Sequence, residues 1–171
     1  KNQIMKHKYH KILFTALISL LSSNIIYAED CKASEDSSRL TVAGGSLTEI
    51  VYLLGQEKKL IAVDITSNYP DKAKELPSIG YVRALSAEGV LSLSPTLILG
   101  ENDMGPPAVI EQLGRVGIQI EIIPEENTAK GIINKVECVA SILNVENEIK
   151  LAVIRDLVSI KQDLDKLKNI E

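Results

Sequence analysis

Tyr81 lies in the segment Gly80-Tyr81-Val82-Arg83, with a glycine on one side and a cation two residues further on. A free tyrosine has a pKa near 10, so its phenol is neutral at physiological pH. A neighbouring arginine or a bound ferric ion favours the phenolate, and phenolate is an axial ligand of haem iron. A loop tyrosine is more often a plain surface residue, so the motif alone leaves both roles open.

Gly44-Gly45-Ser46 is a second candidate, because it joins a predicted strand to a predicted helix. Free backbone N–H groups at such a helix start could hold an anion. The segment lacks the third glycine of a dinucleotide-binding fingerprint, and a glycine pair more often simply permits a tight turn. We therefore favour the turn over the anion site.

The residue composition excludes several chemistries. Both histidines, His7 and His10, lie within the first 28 residues, which resemble a secretory signal. The chain that follows therefore has no histidine for zinc binding, for Ser-His-Asp or Cys-His catalysis, or for haem ligation. It carries 15 basic and 23 acidic residues without a basic stripe, so nucleic acid is not an expected partner.

Residues 1–28 are predicted to be upstream residues and a signal peptide. Met5 is followed by a basic segment, and residues 12–21 form an apolar run too short to span a membrane as a helix. Ala28 is a suitable cleavage residue, and residues 29–38 are expected to be a flexible tail. Cys31 and Cys138 could pair in an oxidising compartment or could remain apart, and the sequence does not decide between the two.

From Arg39 onward, short apolar runs alternate with amphipathic stretches, which predicts an α/β fold with a small parallel-rich sheet flanked by helices. Ser46 and Glu49 have the spacing of a capping box, and Gly55 suits a helix C-terminus. The predicted strands are Leu40 to Ala43, Leu60 to Ile65, Thr96 to Gly100 and Ile118 to Ile123. The predicted helical segments begin at Ser46, Tyr69, Ser86, Pro106 and Asn127.

A last, longer helix is predicted over 146–170. Its apolar side chains recur at steps of three and four residues and need a partner surface. These side chains are Ile149, Val153, Leu157, Ile160, Leu164 and Leu167.

Four segments together resemble the haem-specific periplasmic binding proteins of ABC importers. They occur in the family's order and cover roughly residues 39–144. The segments are Ala43 to Ile50, Asp64 to Pro70, Gly80 to Gly89 and Gly105 to Leu113.

This resemblance implies a non-enzymatic carrier in the periplasm that binds ferric haem and delivers it to a permease in the inner membrane. It implies that Tyr81 binds the haem iron and that Arg83 stabilises the phenolate or meets a propionate. It also implies that Glu88 docks onto permease arginines, although a solvated residue early in a helix is the plainer interpretation.

The sequence departs from that family in one respect, because members have two lobes joined by a long helix. Here residues 39–144 resemble the N-terminal ligand-binding lobe, residues 145–171 resemble the start of the interlobe helix, and no segment resembles a second lobe. We therefore expect a fragment of a longer protein, or the product of a truncated gene that binds haem poorly or not at all, in preference to a working one-lobed protein. Alternative functions are a ferric-siderophore or cobalamin carrier of the same fold, or an α/β enzyme that uses Gly44-Gly45 as a phosphate site.

Overall fold

A computed structural model describes residues 31–168 and contains a four-stranded sheet with the order β2-β1-β3-β4. All three strand pairs are parallel. Every residue of β1 is buried, as expected for the centre of a parallel sheet that is covered on both faces. The strands are β1 (Leu40–Ala43), β2 (Leu60–Val63), β3 (Leu97–Glu101) and β4 (Gln119–Ile123).

Five α-helices cover the two faces of this sheet within the described residues. On one face, α1, α4 and α5 enclose a core that includes Leu47, Leu99 and Val139; on the other, α2 and α3 enclose Val90, Ile98 and Leu113. The predicted α/β class is confirmed. The helices are α1 (Gly45–Leu53), α2 (Ala87–Leu91), α3 (Pro107–Arg115), α4 (Ala129–Ile142) and α5 (Asn147–Lys168), with short 3-10 turns at Glu57–Lys59 and Asp71–Glu75.

The helix ends follow local sequence signals. Thr128 caps α4 by accepting a hydrogen bond from the Gly131 N–H at 2.9 Å, and Ser86 caps α2 in the same way through Gly89. Gly55, with φ +67°, ends α1, and Asn144, with φ +53°, ends α4. Both residue types tolerate the left-handed conformation found at helix C-termini.

The predicted capping box at the start of α1 is wrong. The N-cap is Gly44, two residues before Ser46, and it has no side-chain cap. The Ser46 hydroxyl instead donates to Glu101 at 2.5 Å. Strand β2 is also shorter than predicted and ends at Val63, because the Asp64 carboxylate organises a turn there.

The segment predicted to be a flexible tail is attached to the lobe over residues 31–38, although it forms no helix or strand there. Ser34 is buried, and its N–H and hydroxyl both donate to the Ile142 carbonyl, at 2.9 and 2.7 Å. Cys31 is disulfide-bonded to Cys138 of α4, with 5.1 Å between the Cα atoms. Of the two states that the sequence left open, the structure therefore has the paired one.

The predicted long helix is present as α5, which lies against α4. Val153, Ile154 and Leu157 pack on the core, whereas Ile160, Leu164 and Leu167 further along are at least half exposed. Among residues 31–168, no helix is both long and apolar enough to cross a membrane. The predicted signal segment lies outside the described residues.

Candidate functional site

The four strands are parallel, so their carboxyl ends meet at one edge of the sheet, and the loops that follow them meet there too. Gly44-Gly45 follows β1, residues 64–70 follow β2, and residues 102–105 follow β3. The loop that carries the predicted site residue Tyr81 is hydrogen-bonded to the loop after β2. The Ile65 N–H donates to the carbonyl of Gly80, the residue before Tyr81, at 2.9 Å.

Asp64 organises the loops after β1 and β2. Its buried carboxylate accepts from the Gly44 N–H at 3.1 Å, from the Thr66 hydroxyl at 2.8 Å and from the Ser67 hydroxyl at 3.0 Å. A buried carboxylate is stable when several donors compensate its lost hydration. Asp64 therefore fixes the Gly44 turn relative to the loop that leads to Tyr69.

The Gly44-Gly45 turn is a structural turn and does not present an open anion site. Its two N–H groups donate to protein acceptors, Gly44 to Asp64 and Gly45 to the Thr66 hydroxyl, both at 3.1 Å. Gly44 has φ +145°, and a Cβ there would lie 2.6 Å from the Glu101 Cδ. A bound anion would be repelled by the carboxylates of Asp64 and Glu101. The geometry therefore favours a turn over an anion site.

A buried ion pair connects α1, β3 and α4 below this edge. The Lys135 Nζ lies 2.6 Å from the Ser46 Oγ and 3.2 Å from the Glu101 Oε1, and its side chain is 8% exposed. The Glu125 carboxylate is a more distant partner at 3.8 Å. These contacts hold the start of α1 against the end of β3.

Tyr81 lies on a loop that is anchored on both sides of it. Val82 and Leu85 are buried among the side chains that line α2 and α3. The Gly105 N–H donates to the Val82 carbonyl at 2.9 Å, and the Leu85 N–H donates to the Gly105 carbonyl at 2.8 Å. Tyr81 itself is 41% exposed, so a fixed backbone presents its phenol to solvent.

Arg83 is exposed on the same loop and interacts with both Asp103 and Tyr81. Its Nε donates to the Asp103 Oδ2 at 2.6 Å. This hydrogen bond, followed by electrostatic attraction to Tyr81 and then to the Asp103 charge, raises the pKa of the Arg83 guanidinium above its ordinary value. Arg83 is therefore charged and electrostatically coupled to Tyr81, and its role toward a ligand stays a prediction.

The other two tyrosines have different surroundings. Tyr52 is half-buried in α1, and its pKa is raised, chiefly by burial and then by the charges of Glu57 and Glu75, so its phenolate is disfavoured. Tyr69 is 68% exposed beside Pro70. It borders a groove of about 920 Å³ between α1, α4 and α5, and Tyr81 and Arg83 are not among the residues that line that groove.

Glu88 lies in the first turn of α2 and is exposed. A carboxylate there interacts favourably with the helix N-terminus whatever else it does. Its docking role is not tested by these contacts and stays a prediction.

Sequence reasoning missed three residues that organise the site: Asp64, Asp103 and Lys135. Asp64 carried a signal, since Asp followed by Thr and Ser at the end of a strand is typical of side-chain-to-backbone turns. Asp103 and Lys135 lie 20 and 34 residues from their partners Arg83 and Glu101. No local pattern connects residues at such separations.

Solved structures of two haem-binding proteins are similar to this chain. A periplasmic haem-binding protein from Pseudomonas aeruginosa is 35% identical with a TM-score of 0.69, and the match covers 77% of this chain and 46% of that one. The periplasmic haem-binding protein HutB of Vibrio cholerae is 33% identical with a TM-score of 0.68, covering 78% and 50%.

A relative with a different ligand is similar as well. The vitamin B12-binding protein of Yersinia pestis (strain Pestoides F) is 33% identical over 87 residues, which are 51% of this chain and 31% of that protein. The chain thus spans about half the length of the solved relatives and about a third of the length of the vitamin B12-binding protein.

The family model described as periplasmic binding protein matches residues 41–168, which include all of the sheet except Leu40, the Tyr81 loop and α5. This match covers well over half of the chain and agrees with the parallel sheet, the covering helices and the long last helix. The chain belongs to the periplasmic binding protein family.

Proposed function

We propose that this chain is the substrate-binding component of a haem ABC importer, exported to the periplasm by its signal peptide, with Tyr81 as the ligand of the ferric iron. The observation that carries the proposal is the Tyr81 loop. An exposed phenol stands there on a backbone fixed by Val82 and Leu85, with the Arg83 cation close by.

The chemistry of this loop fits ferric haem. A phenolate is a hard anionic ligand for ferric iron, and the bound iron itself favours the anionic form. Arg83 is also suited to a haem propionate, because its planar fork of donors matches a carboxylate. Haem is the cargo here, and no step of the proposal involves catalysis. The 35% and 33% identity to haem-binding proteins supports the same ligand.

The proposal includes a partner, the permease of the importer in the inner membrane. Glu88 is the residue we assign to that contact, because it is exposed at the start of α2 and follows the Tyr81 loop by only a few residues. A carboxylate in that position is accessible to basic side chains of another protein.

Cobalamin is the second candidate ligand, since the vitamin B12-binding protein of Yersinia pestis matches over 87 residues. The Gly-Tyr-x-Arg loop argues for haem, because a cobalamin carrier does not need a tyrosine that ligates iron. Haem binding should depend on the Tyr81 hydroxyl, and cobalamin binding should not.

The test is an absorption titration of the purified exported chain with ferric haem, and in parallel with cyanocobalamin. We expect the bands of a high-spin ferric haem with a tyrosinate ligand, and Tyr81→Phe should abolish them because phenylalanine has no oxygen to bind iron. Tyr52→Phe is the matched control and should keep the bands, since Tyr52 is half-buried in α1.

Haem binding without these bands, or an unchanged spectrum of Tyr81→Phe, would disprove the Tyr81 assignment. Saturable cobalamin binding together with no haem binding would favour the second candidate.

A further inference from the structure

The loop that follows β3 is joined to the Tyr81 loop by backbone and side-chain bonds. Gly105 exchanges two backbone hydrogen bonds with Val82 and Leu85, and the Met104 N–H closes a turn onto the Glu101 carbonyl at 2.9 Å. Met104 is buried, so Asp103 stands on a short segment that is fixed on its C-terminal side. The carboxylate of Asp103 therefore has a defined position next to the Tyr81 loop.

Asp103 meets Arg83 at one particular donor. The Arg83 Nε donates to the Asp103 Oδ2 at 2.6 Å. Within residues 31–168, Asp103 is both the hydrogen-bond partner and the ion-pair partner of Arg83. A guanidinium has five N–H donors in one plane. A single bond at Nε orients that plane and leaves the four N–H groups of the two Nη atoms for another anion.

We propose that Asp103 is a positioning residue of the ligand site, which holds the Arg83 guanidinium beside Tyr81 with its two Nη groups directed to the bound anion. The inference rests on the proposed function, because that anion is the iron-bound phenolate or a propionate of the haem. Asp103 does not touch the ligand and acts only through Arg83.

A purely structural salt bridge would behave differently. The side chains of Arg83 and Asp103 are 63% and 39% exposed, and ion pairs with that exposure contribute little to folding. The loss of Asp103 should therefore change ligand binding much more than the unfolding temperature.

The experiment measures the ferric-haem dissociation constant and the tyrosinate bands of the exported chain and its variants. Asp103→Ala should weaken binding roughly tenfold, the effect of about one hydrogen bond to a charged group. Asp103→Asn should bind nearly as the wild type does, because its amide oxygen can still accept from the Arg83 Nε. Asp163→Ala is the matched control, since Asp163 is an exposed aspartate paired with Lys166 on α5.

The double variant separates positioning from a direct effect. In an Arg83→Gln background, Asp103→Ala should cause no further loss of affinity, because the residue through which it acts is gone. An equal loss in both backgrounds, or wild-type affinity of Asp103→Ala, would overturn the inference. Failure of the proposed function looks different, because the wild-type chain itself would then lack the tyrosinate bands.

Discussion

At Gly44 both the backbone conformation and the space around it require glycine. Its φ of +145° is outside the range of ordinary L-residues, and the Glu101 side chain fills the place of a Cβ. Glu101 cannot easily move away, since Lys135 and Ser46 hold its carboxylate. One backbone position thus determines how closely α1 approaches the end of β3.

We expect Gly44→Ala to lower the free energy of unfolding by roughly 2 kcal/mol, from backbone strain together with the contact to Glu101. Urea unfolding followed by circular dichroism measures this change. Gly114→Ala is the control, because Gly114 lies in α3, where an added methyl group would have open space around it, and this variant should gain up to about 1 kcal/mol. Equal stabilities of the two variants would contradict the role of Gly44.

The residues of the site were predictable to the extent that local sequence marks them. Tyr81 and Arg83 share one motif, so both are candidates from the sequence alone. Asp103 was not, because its pairing with Arg83 depends on how the loop after β3 folds back onto the Tyr81 loop. Ser46 was assigned to a capping box from its spacing to Glu49, but a buried lysine 89 residues away competes for its hydroxyl.

At the level of elements, hydrophobic patterning was enough to predict all four strands and the order of the helices. Strand ends were less predictable, since β2 ends where the Asp64 carboxylate begins to bind the backbone and not where the apolar run ends. The segment 31–38 looked like a tail because it is polar, yet Ser34 bonds to α4 and Cys31 is bonded to Cys138. Such long-range attachment leaves no periodic signal.

The disulfide between the N-terminal segment and α4 closes a loop with a sequence separation of 107 residues. Because such a bond restricts the unfolded chain, we expect its reduction to lower the free energy of unfolding by about 2–4 kcal/mol. Denaturant unfolding with and without dithiothreitol measures the difference.

The double variant Cys31→Ser/Cys138→Ser is the control for that experiment and should be equally stable with and without the reductant. If the reductant had no effect on the wild-type chain, the bond would not stabilise the lobe.

For the whole molecule, the second half of α5 exposes three large apolar side chains. Ile160, Leu164 and Leu167 are 57%, 50% and 63% exposed on one side of that helix. Exposed apolar patches of this kind favour association between molecules.

We expect the purified chain to self-associate as its concentration rises, and Ile160→Glu/Leu164→Glu to restore a monomer, as measured by light scattering. Gln162→Glu adds a charge at an exposed position of the same helix and should leave the association unchanged. A wild-type chain that stays monomeric at high concentration would show that this surface does not drive association.

The strand order has a consequence for what the lobe can hold. The chain runs outward from β1 to β2 and then outward in the other direction from β3 to β4, so β1 and β3 flank a topological switch point. In open parallel sheets, nucleotides and other small ligands enter the crevice at that point. Here the Glu101 side chain, at the end of β3, lies against Gly44 after β1 and pairs with Lys135. A carboxylate beside this switch point would repel the phosphate groups of a nucleotide.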